Sequence, residues 1–443
     1  MATADQLIQR LQDALPGDRL RTGAGTDGYD VGGLRPRVVV VPHSADEVLA
    51  SVRVARESGA PLVPWGGGTC IDLGNPPARC EIVLDCSHLD TLVEYEPADL
   101  TATVQAGMTF AALDAKLAEH QQTLALDPPL PGRATVGGAL SAGLWGPLRT
   151  GYGTARDRVI GMRAVLGTGR AVHSGGRVVK NVSGYDLHKA FLGALGTLGV
   201  IVEVSFKLLP QPRGRSALVA SFADLEHAMS AARDALRAAA QPAMLEVVGP
   251  DVARRLAART RSDPDEAAWL VVVAYAHAAG AVQRASRDFV RLAHAAGSPE
   301  VSALEPHQRP AVLDALRDYG RTEAEPAAVI VSLRGRAAQC EALAQLARRV
   351  APAAAVIATP AVGIVRLYAA DADAEQALRL VHSLREGARP LGAVALAERL
   401  PRAAVGRVDA WDVSGADLEL MRRLKAAYDP DGILAPGRHV AGI

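Results

Sequence analysis

Three glycine-rich tracts lie between Pro64 and Pro210, and they constrain the fold of this chain more than any other feature. The first is PWGGGTCIDLG, Pro64–Gly74. The second is DPPLPGRATVGGALSAGLWGPLRTGYGTARD, Asp127–Asp157, and the third is KNVSGYDLHKAFLGALGTLGVIVEVSFKLLP, Lys180–Pro210. A single tract of this kind often marks only a tight turn. Three together let the main chain approach something large and extended, because glycine leaves no Cβ between an N–H group and a phosphate oxygen. The expectation is that the three converge in space.

The residues around the first tract narrow what it holds. RVVVVP, SADEVLASVRVARESG and PLVPW read as strand, helix and strand. Ser44 and Glu47 form a capping box, Val48, Leu49, Val52 and Ala55 make one apolar face, and Gly59 stops the helix. A P-loop would continue with GK[ST] and a helix, and a nicotinamide-binding turn would also open a helix. Here TCIDLGNPPARCEIVLD follows, without lysine, with Asn75-Pro76-Pro77 as a turn and CEIVLDC as a strand. Strand–loop–strand leaves a nest of backbone amides. NAD is disfavoured; a dinucleotide with a pyrophosphate, an adenosine and a flat ring system fits.

Further along, TLVEYEP and TATVQAG read as strands and MTFAALDAKLAEHQ as a helix facing inward through Leu113 and Leu117. VIGMRAVLGTGRAV reads as a hairpin turning at Gly167 and Gly169, and IVEVSFKLL as a partly alternating strand. After QPRGR, residues 211–215, the chain becomes rich in alanine and arginine. Helices such as DLEHAMSAARDALRAAA and AAQCEALAQLARRVA alternate with strands SALVASF, AMLEVVG, AWLVVVAYA, AAVIVSLRG and GIVRLYAA. Two β-α-β-like units of a ferredoxin-like α+β domain account for this order. A final amphipathic helix precedes a tail punctuated by proline and glycine.

Composition excludes several classes. With 443 residues the chain has room for two or three domains. The 48 basic and 48 acidic residues cancel, and no basic arm stands out, so nucleic acid is not expected as a partner. Cys70, Cys80, Cys86 and Cys340 lack the spacing of a zinc or iron–sulfur ligand set, and the 11 histidines form no HxxxH pair, so no metal is expected. Apolar runs such as Trp269–Ala276 are too short to cross a bilayer, and the amphipathic N-terminus lacks a signal-peptide core. These features lead to the expectation of a cytoplasmic chain, with docking to a membrane-bound partner left open.

PWGGGTCIDLG, ATVGGALSAGLWGP…GYGTARDRV and KNVSGYDLHKAFLGALGTLGVI together resemble the FAD-binding domain of the vanillyl-alcohol oxidase/PCMH-type flavoprotein superfamily. Within it the chain is similar to the glycolate oxidase FAD-binding subunits, whose closing motif appears here as YDPDGILAPGR, Tyr428–Arg438. The likeness covers residues 30–212 and the tail; the middle matches in general layout. It implies an α+β architecture: a two-part PCMH-type FAD-binding domain, residues 1–212, a ferredoxin-like α+β cap domain, 213–408, and a segment returning to the FAD domain, 409–443. It also implies that Gly66, Gly67, Gly68 and Thr69 hold the pyrophosphate. Pro128, Thr135, Gly137, Gly138 and Ser141 would line the next stretch of FAD, with Tyr152 and Gly153 near the cofactor. Gly193, Gly196, Thr197, Gly199, Val200 and Ile201 would complete the cradle. Cys70 and Gly143 stand where relatives carry glycine and asparagine. The first loop offers no histidine for covalent attachment, so non-covalent FAD is expected.

Oxidation of a 2-hydroxy acid on flavin needs a carboxylate receptor, usually arginine, and a base for the hydroxyl proton. Arg334 in VSLRG, Arg366 in GIVRLYAA and Glu246 in AMLEVVG are the catalytic candidates, with Glu398 in AERLP beside them; the alternative is a salt-bridged or solvated sheet face. His188 and Lys189 sit near the third tract, and Arg177 and Lys180 offer cations for the pyrophosphate or the reduced flavin. Relatives that catalyse this oxidation alone carry a histidine-rich metal motif late in the cap, and VALAERLPRAAVGR has no histidine. The resemblance therefore implies a second flavoprotein subunit and an iron–sulfur subunit as partners, the chain oxidising the acid or relaying its electrons. A self-sufficient oxidase of another alcohol or hydroxy acid and a non-catalytic assembly subunit are the alternatives.

Overall fold

The computed structural model describes residues 4–176, 185–260, 268–413 and 415–443. Its first layer follows from two amphipathic helices. Helix α1 (Ala4–Ala14) is followed by strands β1 (Leu20–Thr22) and β2 (Val38–Val40), helix α2 (Ala45–Ser58), and strands β3 (Leu62–Trp65) and β4 (Ile82–Asp85). Leu7 and Leu11 of α1 pack with Val48, Val52 and Ala55 of α2 over a sheet of order β1-β2-β4-β3. Leu49 is only partly buried. The Ser44 hydroxyl accepts from the Glu47 N–H at 3.2 Å. The reciprocal half of the capping box is absent. Arg19 pairs with the Glu47 carboxylate at 2.9 Å, and that carboxylate accepts from the His43 N–H at 2.8 Å instead.

The second layer contains β5 (Leu92–Glu96), β6 (Thr101–Gln105), helix α3 (Phe110–Ala118), β7 (Gln122–Thr123), helices α4 (Val136–Ala142), α5 (Arg149–Tyr152) and α6 (Ala155–Arg158), then β8 (Val159–Leu166), β9 (Ala171–Gly175), β10 (Gly199–Lys207) and β11 (Leu209–Pro210). Its five-stranded antiparallel sheet runs β5-β6-β10-β8-β9. The hairpin expected at Gly167 and Gly169 is β8–β9, with Val165 opposite Ala171. Strand β10 is buried on both faces. Val200 and Val202 join the α1–α2 core, while Ile201, Val204 and Phe206 join a second core with Phe110 and Leu113 of α3. Its alternation divides residues between two cores, which is why it reads as nearly continuous apolar sequence.

The remaining strands make one antiparallel sheet of eight. In chain order come β12 (Gly214–Phe222), α7 (Leu225–Arg237), β13 (Met244–Val248), α8 (Pro250–Thr260), β14 (Trp269–His277), α9 (Ala279–Ala295), β15 (Val301–Ala303) and α10 (Gln308–Arg317). Then follow β16 (Val329–Arg334), α11 (Cys340–Val350), β17 (Ala355–Thr359), β18 (Ile364–Ala369), α12 (Ala374–Ala388) and β19 (Val394–Arg399). The order β15-β12-β14-β13 is one ferredoxin-like unit and β17-β18-β16-β19 a second, joined edge to edge where Val247 meets Ala358. Val331, Leu333, Val365, Leu367, Ala395 and Ala397 point into the core shared with α7, α9, α11 and α12. Period two sends Ser332, Arg334, Arg366 and Glu398 to the opposite face. Helix α13 (Ala416–Tyr428) leads the tail back to the first layer. There the Leu62 N–H donates to the Ile433 carbonyl, and the Ala435 N–H to the Leu62 carbonyl, both at 2.8 Å.

Candidate functional site

The first tract leaves β3, the second runs into α4, and the third runs into β10. These three points meet around a trough of about 750 Å³, its open mouth included. Gly66, Gly67, Gly68 and Thr69 line it from the first tract, Thr135, Gly137, Gly138 and Ser141 from the second, and Gly196, Gly199, Val200 and Ile201 from the third. The contact between tracts is close. A Cβ on Gly66 would lie 2.1 Å from Thr135 Oγ1, and one on Gly67 would lie 1.7 Å from the Arg133 carbonyl oxygen. The missing side chains thus seat one tract on another as well as exposing backbone.

The N–H groups of Gly67, Gly68 and Thr69 donate to no acceptor among the described residues. Adjacent amides open to a trough can hold a pyrophosphate, so the chain fits a dinucleotide there. The second tract forms α4, capped by Thr135 Oγ1 accepting from the Gly138 N–H. Helix α4 ends at Gly143 in the left-handed region, where a Cβ would lie 3.2 Å from Gly193 Cα. The local reason for glycine at 143 is this turn against the third tract.

Other expected cofactor residues do not line the trough. Pro128 is buried. Thr197 is buried with its hydroxyl donating to the Ala194 carbonyl at 2.7 Å. Gly193 donates to the Leu140 carbonyl at 2.9 Å and accepts from the His439 ring. Tyr152 ends α5 and Gly153 follows it against Asp157. His188 is buried beside Ser174, and Lys189 pairs with Asp186. Arg177 and Lys180 lie outside the described residues.

Arg438, whose role the sequence reading missed, lines the trough from the tail and donates to the carbonyls of Ile71 at 2.9 Å and Leu73 at 2.8 Å. It fastens the far half of the first loop. Its position in the tail motif YDPDGILAPGR was the available clue.

The cap presents a charged cluster beside the trough. Arg366 stands opposite Ser332 on one side and Ile357 on the other. On β19, Ala397 faces Val331 and Arg399 faces Ile330, leaving Glu398 as the extra residue of a bulge. Glu398 is fully buried and accepts from Arg366 Nε at 3.3 Å, from Arg334 Nη2 at 3.4 Å and from Arg321 Nη2. Burial opposes its charge, but Arg366, Arg321 and Arg334 hold its carboxyl down at about 2. Arg399 joins the cluster to the first loop through Asp72 at 3.2 Å.

A narrow cleft of about 350 Å³, its open mouth included, lies next to this cluster, with Arg366, Arg321, Glu246 and Tyr368 from the cap and Trp145 and Gly146 from the second tract along its walls. Arg366 Nη2 donates to the Trp145 carbonyl at 3.4 Å. Glu246 accepts from the Thr359 hydroxyl at 2.9 and 3.1 Å, and burial pushes its carboxyl up to about 8. Asp127 accepts from the Leu148 N–H at 2.9 Å, and burial pushes it up to about 7. The three sequence candidates Arg334, Arg366 and Glu246 therefore share one face. Arg321 and Asp127 were missed because only strand register and the packing of the two halves bring them there. Among the described residues, no group of three or more His, Cys, Asp and Glu is placed to hold a metal.

Comparisons with known proteins agree with this geometry. Residues 36–175 match the FAD binding domain, and residues 211–332 and 410–439 match the C-terminal domain of FAD linked oxidases. The chain therefore carries the two domains of the FAD linked oxidases, with FAD as the cofactor. It is 35% identical over 214 residues to the glycolate oxidase subunit GlcD of Bacillus subtilis, covering 48% of this chain and 45% of that one. It is 37% identical over 184 residues to the glycolate oxidase subunit GlcE of Escherichia coli, covering 41% and 52%. The chain spans about half the length of these curated relatives. Substrate-bound p-cresol methylhydroxylase superposes with a TM-score of 0.74 at 18% identity, over 98% of this chain and 96% of that one, and so shares the fold.

Proposed function

We propose that the chain is the FAD-binding subunit of a glycolate oxidase-like complex, where it oxidises a 2-hydroxy acid or relays its electrons to an iron–sulfur partner. The observation that carries this reading is the small cationic pocket, with Arg366, Arg321 and Glu246, beside the glycine-lined trough. The likeness to subunits named GlcD and GlcE supports the subunit role and a second flavoprotein subunit as neighbour. The cysteine spacing puts any cluster on the partner. Among the described residues no helix is long and apolar enough to cross a membrane. In this reading the chain is cytoplasmic and meets the membrane through its complex.

FAD, when bound, supplies the two-electron acceptor. The residues of the chain do the rest. Three cap arginines against the single Glu398 carboxylate leave a positive field that attracts the substrate carboxylate, and the Glu246 carboxyl, once deprotonated, takes the hydroxyl proton. Apolar neighbours Leu144, Ile357 and Leu316 keep water away from the exchange. A pocket holding both cations and a base also favours a second reading, in which the chain oxidises a hydroxy acid without partners.

The test is anaerobic mixing of the purified FAD-loaded chain with glycolate, lactate and 2-hydroxyglutarate, alone and with its partner subunits. Bleaching of the flavin bands by one acid is expected. Bands that stay oxidised with every acid, alone and in the complex, would refute the proposal.

A further inference from the structure

The cap arginines do not stand free: Glu398 already occupies Arg321, Arg334 and Arg366. The cation left over comes from the other half of the molecule. Arg149 opens α5, and its N–H meets the Gly146 carbonyl at 3.3 Å, one turn from the Trp145 carbonyl that Arg366 reaches. Helix α5 is pinned to the chain entering β13, the strand that carries Glu246. The Gly151 N–H donates to the Ala243 carbonyl at 3.1 Å, and a Cβ on Gly151 would lie 2.6 Å from Ala243 Cα.

The Arg149 Nε is closed off from solvent and has no hydrogen-bond partner, and the Thr150 hydroxyl in the same turn is likewise buried and unpartnered. No carboxylate among the described residues forms an ion pair with Arg149. The two acidic groups whose fields reach it are otherwise engaged: Asp127 by the Leu148 N–H and Glu246 by Thr359. Arg366 and Arg334 repel it across the gap. A partly buried guanidinium within the fields of two others, with no carboxylate of its own, is costly unless an anion completes it.

We propose that Arg149 receives the carboxylate of the substrate from the FAD-binding side of the pocket, while Glu398 fixes Arg366 and Arg334 as supporting charges opposite. This rests on the 2-hydroxy-acid reading above. The planar guanidinium suits a bidentate carboxylate, and α5 is already packed on the chain entering the strand that carries Glu246.

Oxalate, which carries the carboxylate but no oxidisable hydroxyl, serves as the probe. The FAD-loaded wild type should bind it with a perturbed flavin spectrum and a raised melting temperature. Arg149→Met should weaken binding by about 10- to 100-fold, the loss expected for a charged hydrogen bond. Arg149→Lys should recover part of that loss. FAD content should not change, and the melting temperature without oxalate should not fall, because no partner in the chain is lost. If wild type binds oxalate and Arg149→Met binds it within twofold, the assignment of Arg149 is overturned while the functional reading stands. If the FAD-loaded wild type binds no oxalate, the assignment of Arg149 is overturned as well, and flavin bleaching by the hydroxy acids in the complex decides the functional reading. A flavin potential moved in Arg149→Met by more than about 30 mV, tenfold for a two-electron couple, would place the charge on reduced flavin and also overturn the proposal.

Discussion

Replacing Glu398 by glutamine tests whether one buried carboxylate organises the cap cluster. It keeps the shape of the side chain and removes the charge shared by Arg321, Arg366 and Arg334, whose side chains are 5%, 14% and 35% exposed. The Glu398 carboxyl is held from its ordinary 4.5 down to about 2. At about 1.4 kcal/mol per tenfold change this comes to roughly 3 kcal/mol, at the lower edge of what breaking a buried ion pair costs. Because the carboxyl is depressed, the contribution is fully present above pH 4.5 and is lost as pH falls towards 2. Urea unfolding at pH 7 should therefore show Glu398→Gln less stable by about 3 kcal/mol, and the gap should close as the pH approaches 2. Adding Arg321→Met to Glu398→Gln should return part of the loss, since it removes one of the stranded buried cations. A variant within about 1 kcal/mol of wild type at pH 7, or a gap that persists unchanged at low pH, would refute the reasoning.

Other perturbations test the remaining parts. Gly67→Ala puts a methyl group against the Arg133 carbonyl oxygen and should weaken FAD binding about tenfold or more, measured by ultrafiltration of the reconstituted protein. The rate of flavin bleaching by substrate should rise with pH through about 8 as the raised Glu246 carboxyl deprotonates, and Glu246→Gln should be slow and lose that rise; stopped-flow traces across pH 6–10 decide it. Lys425→Met removes the donor to Thr197, Leu434 and Asp429 and should destabilise the docked tail by about 2 kcal/mol, read as faster proteolysis between α13 and Arg438. Acid precipitation should release all of the FAD into the supernatant, because the first loop carries no histidine.

What could be read from the sequence was local. Ser44, Gly59 and the apolar positions between them specify α2 without help from the rest of the molecule. Gly167 and Gly169 likewise specify the β8–β9 hairpin. Helix α4 was hidden because VGGALSA has poor helix propensity. The Thr135 cap and a fit against Ala106, which a Cβ on Gly137 would approach to 2.8 Å, override that preference. Strand β17, AVIAT, follows an alanine-rich stretch with no period of two. The cluster on the cap was half legible. Arg334 and Arg366 lie on recognisable strands, but their meeting with Glu398 depends on a bulge and on pairing between segments far apart in sequence. Neither register nor a bulge is written in a single strand. Arg149 and Asp127 needed the docking of one half of the chain on the other.

The account stands on three glycine tracts closing around one flavin nucleotide. Reconstitution of the purified chain with FAD, followed by its absorbance spectrum and a count of bound flavin, tests that most directly. Yellow protein carrying one FAD per chain, with stoichiometry lost when Gly67 and Gly137 are both replaced by valine, is the predicted result. A colourless chain that takes up no FAD, or one whose flavin content is indifferent to those replacements, would contradict it.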